Sequence, residues 1–465
     1  MNITKTSNIK NICCIGAGYV GGPTMAVIAA NCPDLIINVV DINIDRINSW
    51  NIDDLSKLPV FEPGLKDIVE KCRGKNLFFS SNVEENIANA DIIFISVNTP
   101  TKTKGIGAGY ASDLKWIESS TRTIAKFARN HTIVVEKSTL PVKTAETIKN
   151  ILLSSDESLD KNVKKTFSIL SNPEFLAEGS AINDLQNPDR VLIGGDDNYA
   201  INLLVNIYEK WVDTKKIITT NLWSSELSKL VANAFLAQRI SSVNSISALC
   251  ESTGANIQEV KEAIGSDTRI GNKFLNAGPG FGGSCFKKDI LNLVYLCRYY
   301  GLNEVAAYWE QIVQINLWQQ KRISALVIKN LFGTLSNKKL VILGFSFKAN
   351  TNDTRESPSI NISKEFLKEG AELNFYDPKV EKKQILREFD DFKDSKISVS
   401  KSALGAAEGA DAVLVMTDWE DFKYLDWISI YKVMRKPAWV FDTRICLNRE
   451  EISNIGFNIW TLGRI

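Results

Sequence analysis

Hydrophobic side chains in the first part of the chain fall in short dense runs: NICCI, IINVV, LFFS, DIIFIS, TIVVE and FSILS. Runs of Ile, Val and Phe without polar alternation, separated by helical stretches, predict a parallel sheet covered on both faces. From Trp223 to about Cys250 the pattern changes. Leu227, Leu230, Val231, Ala234, Phe235, Ile240, Val243, Ile246 and Leu249 keep mostly three- and four-residue steps, which predicts one long helix. Residues 303 to 332 predict a second. After Gly333 the strand-helix alternation returns: KKLVILGFSFK, AELNFYDPK and EGADAVLVMTDW repeat KNICCIGAGY, INVVDIN and ANADIIFISVNTP in order. The pattern predicts an α/β chain with two Rossmann-like doubly wound domains, 1–220 and 333–465, joined by a central helical domain, 221–332. The central helices are expected to act as a spacer and as a subunit interface.

A tight turn follows the first of these strands. Gly16, Gly18 and Gly21 in GAGYVGG give G-x-G-x-x-G between a predicted strand and the predicted helix PTMAVIAA. That order supplies the turn, the close backbone approach and the helix N-terminus that a pyrophosphate needs. Asp41 ends the next strand, twenty residues past Gly21, where a carboxylate accepts hydrogen bonds from ribose hydroxyls. An acid there favours NAD over NADP, whose 2′-phosphate it repels; Arg46 nearby pulls the other way. Two further strands end in polar tips, Val97 to Thr101 and Lys137 to Thr139, at the edge where doubly wound sheets bind ligands. In the second half Asp377 stands in the place of Asp41, but Gly344 is followed by Phe345, Ser346 and Phe347. That incomplete fingerprint points to a different nucleotide rather than a second NAD.

Composition narrows the chemistry. The 55 Lys and Arg nearly balance 54 Asp and Glu, so the formal charge of +1 gives no reason to expect nucleic acid or a membrane surface as partner. No window is apolar for long enough to span a bilayer, and MNITKTSNIK lacks the apolar segment of an export signal, so a cytoplasmic location is expected. The eight cysteines read as free thiols of a reducing compartment. His131 is the only histidine and directly precedes the TIVVE run, where it reads as a loop or strand-edge residue. A multi-histidine metal site therefore has no residues to build it, and no metal is expected. Proton handling falls to Lys, Asp, Glu, Cys or water.

Candidates for that work cluster in three places. GPGFGGSCFKKD, residues 278 to 289, strips side chains from the approach to Cys285 and leads into the helical run ILNLVYLC. A thiol at a helix N-terminus feels the positive end of the macrodipole, which favours thiolate. The glycines are expected to let backbone approach a bulky ligand and to leave room over the sulfur. Asp289 lies one helical turn on; it partly opposes the dipole and is placed to take a proton or hold water. A lone cysteine there would read as a buried turn residue, as Cys13, Cys14, Cys32, Cys72, Cys250, Cys297 and Cys446 do. The glycines and the following acid mark Cys285 as the reactive one. Lys229 and Asn233 are four residues apart on the long helix. Lys229 is either a snorkelling side chain among Leu227, Leu230 and Val231, or, with Asn233, a donor to a developing alkoxide. Glu174 and Glu178 in SNPEFLAEG are either first-turn helix acids or site acids at a strand's carboxyl end.

These motifs, with CCIGAGYVGGPT, FISVNTPTKT, NPDRVLIGG, SSELSKLVANAFLAQRISS, DTRES and FDTR, resemble the UDP-glucose 6-dehydrogenases of the UDP-glucose/GDP-mannose dehydrogenase family, in their animal-type version, over roughly residues 8 to 464. The resemblance implies oxidation of the C6 alcohol of UDP-glucose to a carboxylate with two NAD+, through a thiohemiacetal and then a thioester on Cys285 that water hydrolyses. It implies Lys229 for the first proton transfer and the oxyanion, Asn233 as its partner, Asp289 for proton relay through water, Glu174 for thioester hydrolysis, and Thr139 near that water. NAD contacts are implied for Gly16, Ala17, Gly18, Tyr19, Val20, Gly21, Asp41, Arg46, Val97, Asn98, Thr99, Pro100, Thr101, Ser138, Thr139, Glu178, Cys285, Phe286, Lys287, Lys288 and Arg355. UDP-glucose contacts are implied for Glu174, Phe175, Leu176, Ala177, Glu178, Lys229, Leu230, Val231, Ala232, Asn233 and Arg269. The loop Asn276, Ala277, Gly278, Pro279, Gly280, Phe281 and Gly282 joins them, with Phe347, Lys348 and Arg444.

The family's counterpart of Arg269 reaches a neighbouring subunit's site, which implies a homo-oligomer with a dimer as unit and a hexamer as assembly. UDP-xylose is the implied feedback inhibitor, and the Thr139 loop the implied allosteric element. The same chemistry on a UDP-N-acetyl-hexosamine or GDP-mannose is the nearest alternative, and a catalytically silent nucleotide-sugar sensor is another. The chain departs from the family pattern at Asn276, where Lys is frequent, at Asn350, where an acid is frequent, and in ending at TLGRI without a long basic tail.

Overall fold

The computed structural model describes residues 9–154 and 165–464; the first eight residues, part of the segment read for an export signal, lie outside the described residues. The chain divides into two compact units, one up to Ala232 and one from Asn233. In the first unit the described strands are β1 (Asn11–Ile15), β2 (Ile36–Val40), β3 (Leu77–Ser80), β4 (Ile92–Ile95), β5 (Thr132–Glu136), β6 (Phe167–Ser171), β7 (Val191–Gly195) and β8 (Ile217–Thr220). They form one sheet in the order β3-β2-β1-β4-β5-β6-β7-β8. The β6–β7 pair is antiparallel; β1–β2 and β1–β4 are parallel, so the strand order reverses at β1. That reversal opens the crevice where such sheets take ligands.

The dense apolar runs have the predicted cause. In β1, Ile12 and Cys14 enter one core with Met25, Ile28, Trp50 and Phe94. Cys13 and Ile15 enter the other, with Ile93, Ile95, Val134 and Ile148. A strand buried on both faces has no position left for a polar side chain. His131 sits just ahead of β5, exposed, with Nδ1 2.8 Å from Thr166 Oγ1.

The second unit repeats the plan. Strands β9 (Lys339–Leu343), β10 (Glu372–Tyr376), β11 (Ile397–Val399), β12 (Ala412–Val415), β13 (Trp439–Asp442) and β14 (Asn458–Thr461) run in the order β11-β10-β9-β12-β13-β14, all neighbours parallel. Leu340 and Ile342 face one core, Val341 and Leu343 the other. Ahead of this sheet come helices Ile257–Gly265, Phe286–Tyr299 and Asn303–Asn330, the last two packed on one another.

The long helix spans Leu222–Thr253, within a turn of its predicted bounds. Its apolar stripe is not one buried face. Leu230, Ala234 and Val243 are buried, whereas Leu227, Phe235, Ile246 and Leu249 are 40 to 58% exposed. No helix among the described residues is long and apolar enough to cross a membrane.

Candidate active site

The first unit builds a cradle after β1. Gly16 turns the chain at φ +109°, and a Cβ there would lie 2.3 Å from Ser96 O. Gly21 begins the helix Gly21–Asn31, and its Cβ would lie 2.0 Å from Gly16 O. Both glycines are demanded by the fold itself. Gly18 is different: nothing lies within 4 Å of the place its Cβ would take. The loop is thus tight at its ends and open in its middle, as a pyrophosphate requires.

Asp41, beyond β2, accepts the N–H of Ala17 on Oδ2 at 3.0 Å and that of Asn43 on Oδ1 at 2.9 Å. Acceptor capacity remains on both oxygens for ribose hydroxyls. Arg46 is exposed and 3.7 Å from Oδ2, an ion pair rather than a 2′-phosphate clamp. The tips of β4 and β5 are joined: Ser138 Oγ donates to Val97 O at 2.6 Å, and Thr99 Oγ1 to Thr139 O at 3.1 Å. The open cradle and the unsaturated carboxylate fit NAD. Sequence reading missed Trp50, whose indole N–H donates to Ala17 O at 2.9 Å. Its ring fills the space at Gly22, where a Cβ would come within 2.2 Å. The visible signal was the doubled glycine, Gly21-Gly22.

Further along the same sheet edge Lys229 proves not to snorkel. Its Nζ lies 3.3 Å from Glu174 Oε1, with the two side chains only 5% and 6% exposed. A pair this buried loses much hydration for each ion and needs close geometry to break even, so stability alone does not explain it. Phe175 stacks under two cations, the Arg190 guanidinium at 3.8 Å and the Lys229 ammonium at 5.4 Å. A second buried lysine stands in the polar tip beyond β5. Lys137 Nζ donates to Asn172 Oδ1 at 3.0 Å and lies 3.4 Å from Tyr208 Oη, which itself donates to Asn172 Oδ1 at 2.6 Å. Burial, helped by the charge of Lys229, brings the Lys137 ammonium down to about 8 against the pull of Glu174. The signal lay in the sequence: a lysine directly after a fully buried strand has no route to water.

The second unit holds the thiol. Cys285 is the N-cap residue of helix Phe286–Tyr299 and is half-buried, with Sγ 3.5 Å from Ser284 Oγ. The N–H of Asp289 closes the first turn on Cys285 O at 2.9 Å. Asp289 is buried and accepts from Asn233 Nδ2 at 2.6 Å, with Lys288 Nζ 3.9 Å from its other oxygen. Cys285, Asp289 and Asn233 are therefore gathered. Burial raises the thiols of Cys13, Cys32, Cys72, Cys250 and Cys297, and pushes Cys14 up to about 12. Cys446 is raised by burial and by Asp442 and Asp418. These seven are poor nucleophiles, as the sequence suggested.

Three of the four glycines ahead of Cys285 stand hard against protein. A Cβ on Gly280 would meet Asn316 Oδ1 at 2.7 Å, on Gly282 Glu356 O at 2.6 Å, and on Gly283 the Phe347 ring at 3.1 Å. Their missing side chains are replaced by protein, which fixes the loop. Three amide residues secure it. Asn316 donates to Phe281 O at 3.0 Å and accepts its N–H at 2.8 Å. Gln319 donates to Gly278 O at 2.9 Å, and Asn244 accepts the Gly278 N–H at 2.8 Å. All three are buried. Asn316 and Gln319 are amides one turn apart on helix Asn303–Asn330, and the sequence pattern did not single them out.

Other carried-over residues are spent on their own surroundings. Arg444 donates to Met416 O at 2.8 Å and Phe347 O at 3.0 Å. Lys348 lies over the Phe347 ring at 5.7 Å, and Lys287 pairs with Glu356 at 2.8 Å. Arg355 and Arg269 are exposed and each pairs with an aspartate two residues back, Asp353 and Asp267, at 2.6 Å. Among the described residues no group of three or more His, Cys, Asp or Glu could hold a metal ion.

Known proteins resemble this chain over nearly its whole length. The sequence profiles of the UDP-glucose/GDP-mannose dehydrogenase family match in three consecutive parts: its NAD binding domain over residues 10–212, its central domain over 223–318 and its UDP binding domain over 341–449. The UDP-glucose 6-dehydrogenase of Bos taurus is 55% identical over 471 aligned residues, covering 98% of this chain and 93% of that protein. UDP-glucose 6-dehydrogenase 4 of Arabidopsis thaliana is 54% identical over 473, covering 97% of each. The structure of a UDP-glucose dehydrogenase from Pyrobaculum islandicum is similar with a TM-score of 0.82 at 26% identity, over 98% of this chain and 100% of that one. The cradle on the first sheet thus has its counterpart in the NAD binding domain, and the chain belongs to the UDP-glucose/GDP-mannose dehydrogenase family as an NAD-dependent oxidoreductase.

Proposed function

We propose that the chain oxidises UDP-glucose to UDP-glucuronate in two steps at C6, with Cys285 holding the carbon between them. The observation that carries this reading is the half-buried thiol at a helix N-cap, one turn from a carboxylate held by Asn233. The choice of sugar rests on end-to-end identity with relatives named for UDP-glucose.

Each oxidation removes a hydride from C6, and NAD+, when bound by the Gly16–Gly21 loop and Asp41, supplies the acceptor. In the first, Lys229 serves the departing O6 proton, and Lys229 and Asn233 together steady the oxygen. The Cys285 sulfur then bonds to the aldehyde carbon while O6 gains a proton, giving a thiohemiacetal. Losing a hydride and that proton leaves a thioester on the same sulfur. Water, set by Asp289 and Glu174, adds to its carbonyl carbon; the C–S bond breaks, the thiol is restored and the carboxylate leaves. A covalent intermediate keeps the aldehyde from escaping.

The reading extends to three domains, 1–220, 221–332 and 333–465, to a cytoplasmic location, and to a dimer-based hexamer subject to UDP-xylose. The exposed Trp223, Leu227, Phe235, Ile246 and Leu249 on the long helix support burial by another subunit. Exposed Arg269 is available to a neighbour.

Cys285→Ser tests the nucleophile. The variant is expected to bind NAD+ and UDP-glucose as the parent does and to form UDP-glucuronate at least about a thousandfold more slowly, in line with the loss of a covalent step. Product formation at the parental rate would remove the thiol from the mechanism.

A further inference from the structure

Glu62 has no part in the reaction above, yet it sits between two of its loops. It lies in the turn before helix Leu65–Cys72 and is 6% exposed. Its carboxylate collects donors from two distant stretches of chain. Oε1 takes the hydroxyl of Tyr19, in the dinucleotide fingerprint, and the N–H of Gly179; Oε2 takes the N–H of Ala181 at 2.9 Å. Gly179, at φ +84°, and Ala181 directly follow the loop that carries Glu174 and Glu178. Asp184 closes that loop on itself, accepting from the Ala177 N–H and Ser180 Oγ at 2.9 Å each.

All three partners of Glu62 are donors. Only an acceptor-only group can serve them together, since an amide would turn an N–H toward one of them. Burial and the bond to Glu62 hold the Tyr19 hydroxyl firmly protonated, so it remains a donor. The single acid therefore joins the loop that would receive the cofactor to the loop that would act on the sugar.

We propose that Glu62 is a positioning residue that couples the dinucleotide loop at Tyr19 to the Glu174–Glu178 loop, so that cofactor binding orders the acids of the site. The proposal rests on the function proposed above for what those loops do, but its test needs no sugar. NADH fluorescence titration of the full chain is run on the parent, Tyr19→Phe, Glu62→Gln and the double variant. Each single change is expected to weaken NADH about tenfold, the scale of one hydrogen bond to a charged group. The double variant should be no weaker than the worse single one, because both break one linkage. Hydrogen exchange supplies the second reading: NADH should protect amides 174–186 in the parent and lose that effect in both single variants.

Additive losses near a hundredfold, parental NADH affinity in both variants, or unchanged protection of 174–186 would overturn the proposal. If Glu62→Gln does not fold, Tyr19→Phe decides alone, since it keeps both backbone bonds to Glu62. A parent that binds NADH with this linkage but leaves UDP-glucose untouched would sink the substrate reading and not the coupling.

Discussion

The two sheets open with the same turn and part company within three residues. Gly16 and Gly344 both have positive φ, +109° and +92°, and both face the strand across the switch point, at Ser96 O and Thr417 Cβ. Both donate to the end of the neighbouring strand at 2.8 Å, to Val40 O and Tyr376 O. Asp41 and Asp377 each accept the next N–H, from Ala17 at 3.0 Å and Phe345 at 2.7 Å. There the likeness ends. Asp377 Oδ2 also receives the N–H and hydroxyl of Ser346 and the indole of Trp419, while Oδ1 receives the N–H groups of Lys379 and Val380. Six donors saturate a carboxylate with about four acceptor positions. Asp41 keeps room for a ribose and Asp377 does not. The shared turn serves the sheet; what fills the carboxylate decides whether a dinucleotide can follow.

The comparison is easiest to break at the aspartates. Asp41→Ala is expected to weaken NAD+ about 30-fold or more, the scale of one to two hydrogen bonds from ribose to a charged group. Asp377→Ala should leave NAD+ affinity at the parental value and lower the melting midpoint by several degrees, having orphaned buried donors. Equal losses of NAD+ affinity in both, by calorimetric titration, would contradict the distinction.

Gly18→Ala sharpens it. The added methyl meets no protein atom within 4 Å, so the melting midpoint should hold, while NAD+ binding falls about tenfold as the methyl enters the cradle. An unchanged Kd would place the pyrophosphate elsewhere.

The smallest effect concerns the polar tip beyond β5. The Lys137 ammonium titrates near 8 in the folded chain, against 10.5 ordinarily. Between those values the unfolded chain binds more protons, so this group makes stability rise with pH from about 8 to 10.5. Lys137→Met should flatten that rise in denaturant titrations; parallel pH profiles for variant and parent would show that Lys137 is not buried as a charge.

Much of this was legible because it rests on periodicity and on backbone constraints. Strands such as NICCI and TIVVE announced themselves by burial on both faces, and Gly16 and Gly21 by a turn no side chain allows. Strand β8, IITT, did not, because its middle residues are exposed and it is only four residues long. The site was legible where chemistry is local, as at Cys285 and Asp289 one turn apart. It was not where distant residues meet. Trp50 under Gly22, Lys137 on Asn172, Asn316 on Phe281 and Glu62 on Tyr19 are long-range contacts, and one sequence carries no record of pairing. The GFGGSC glycines show the converse: residue type was read correctly, but what occupies the space beside a glycine depends on the fold.

The most direct test counts NADH produced per UDP-glucose consumed by the parent enzyme, with an aldehyde trap such as semicarbazide present. Two NADH for each UDP-glucose and no trapped aldehyde is the result that the proposed Cys285 adduct predicts. One NADH per sugar, with aldehyde collecting in the trap, would contradict the account.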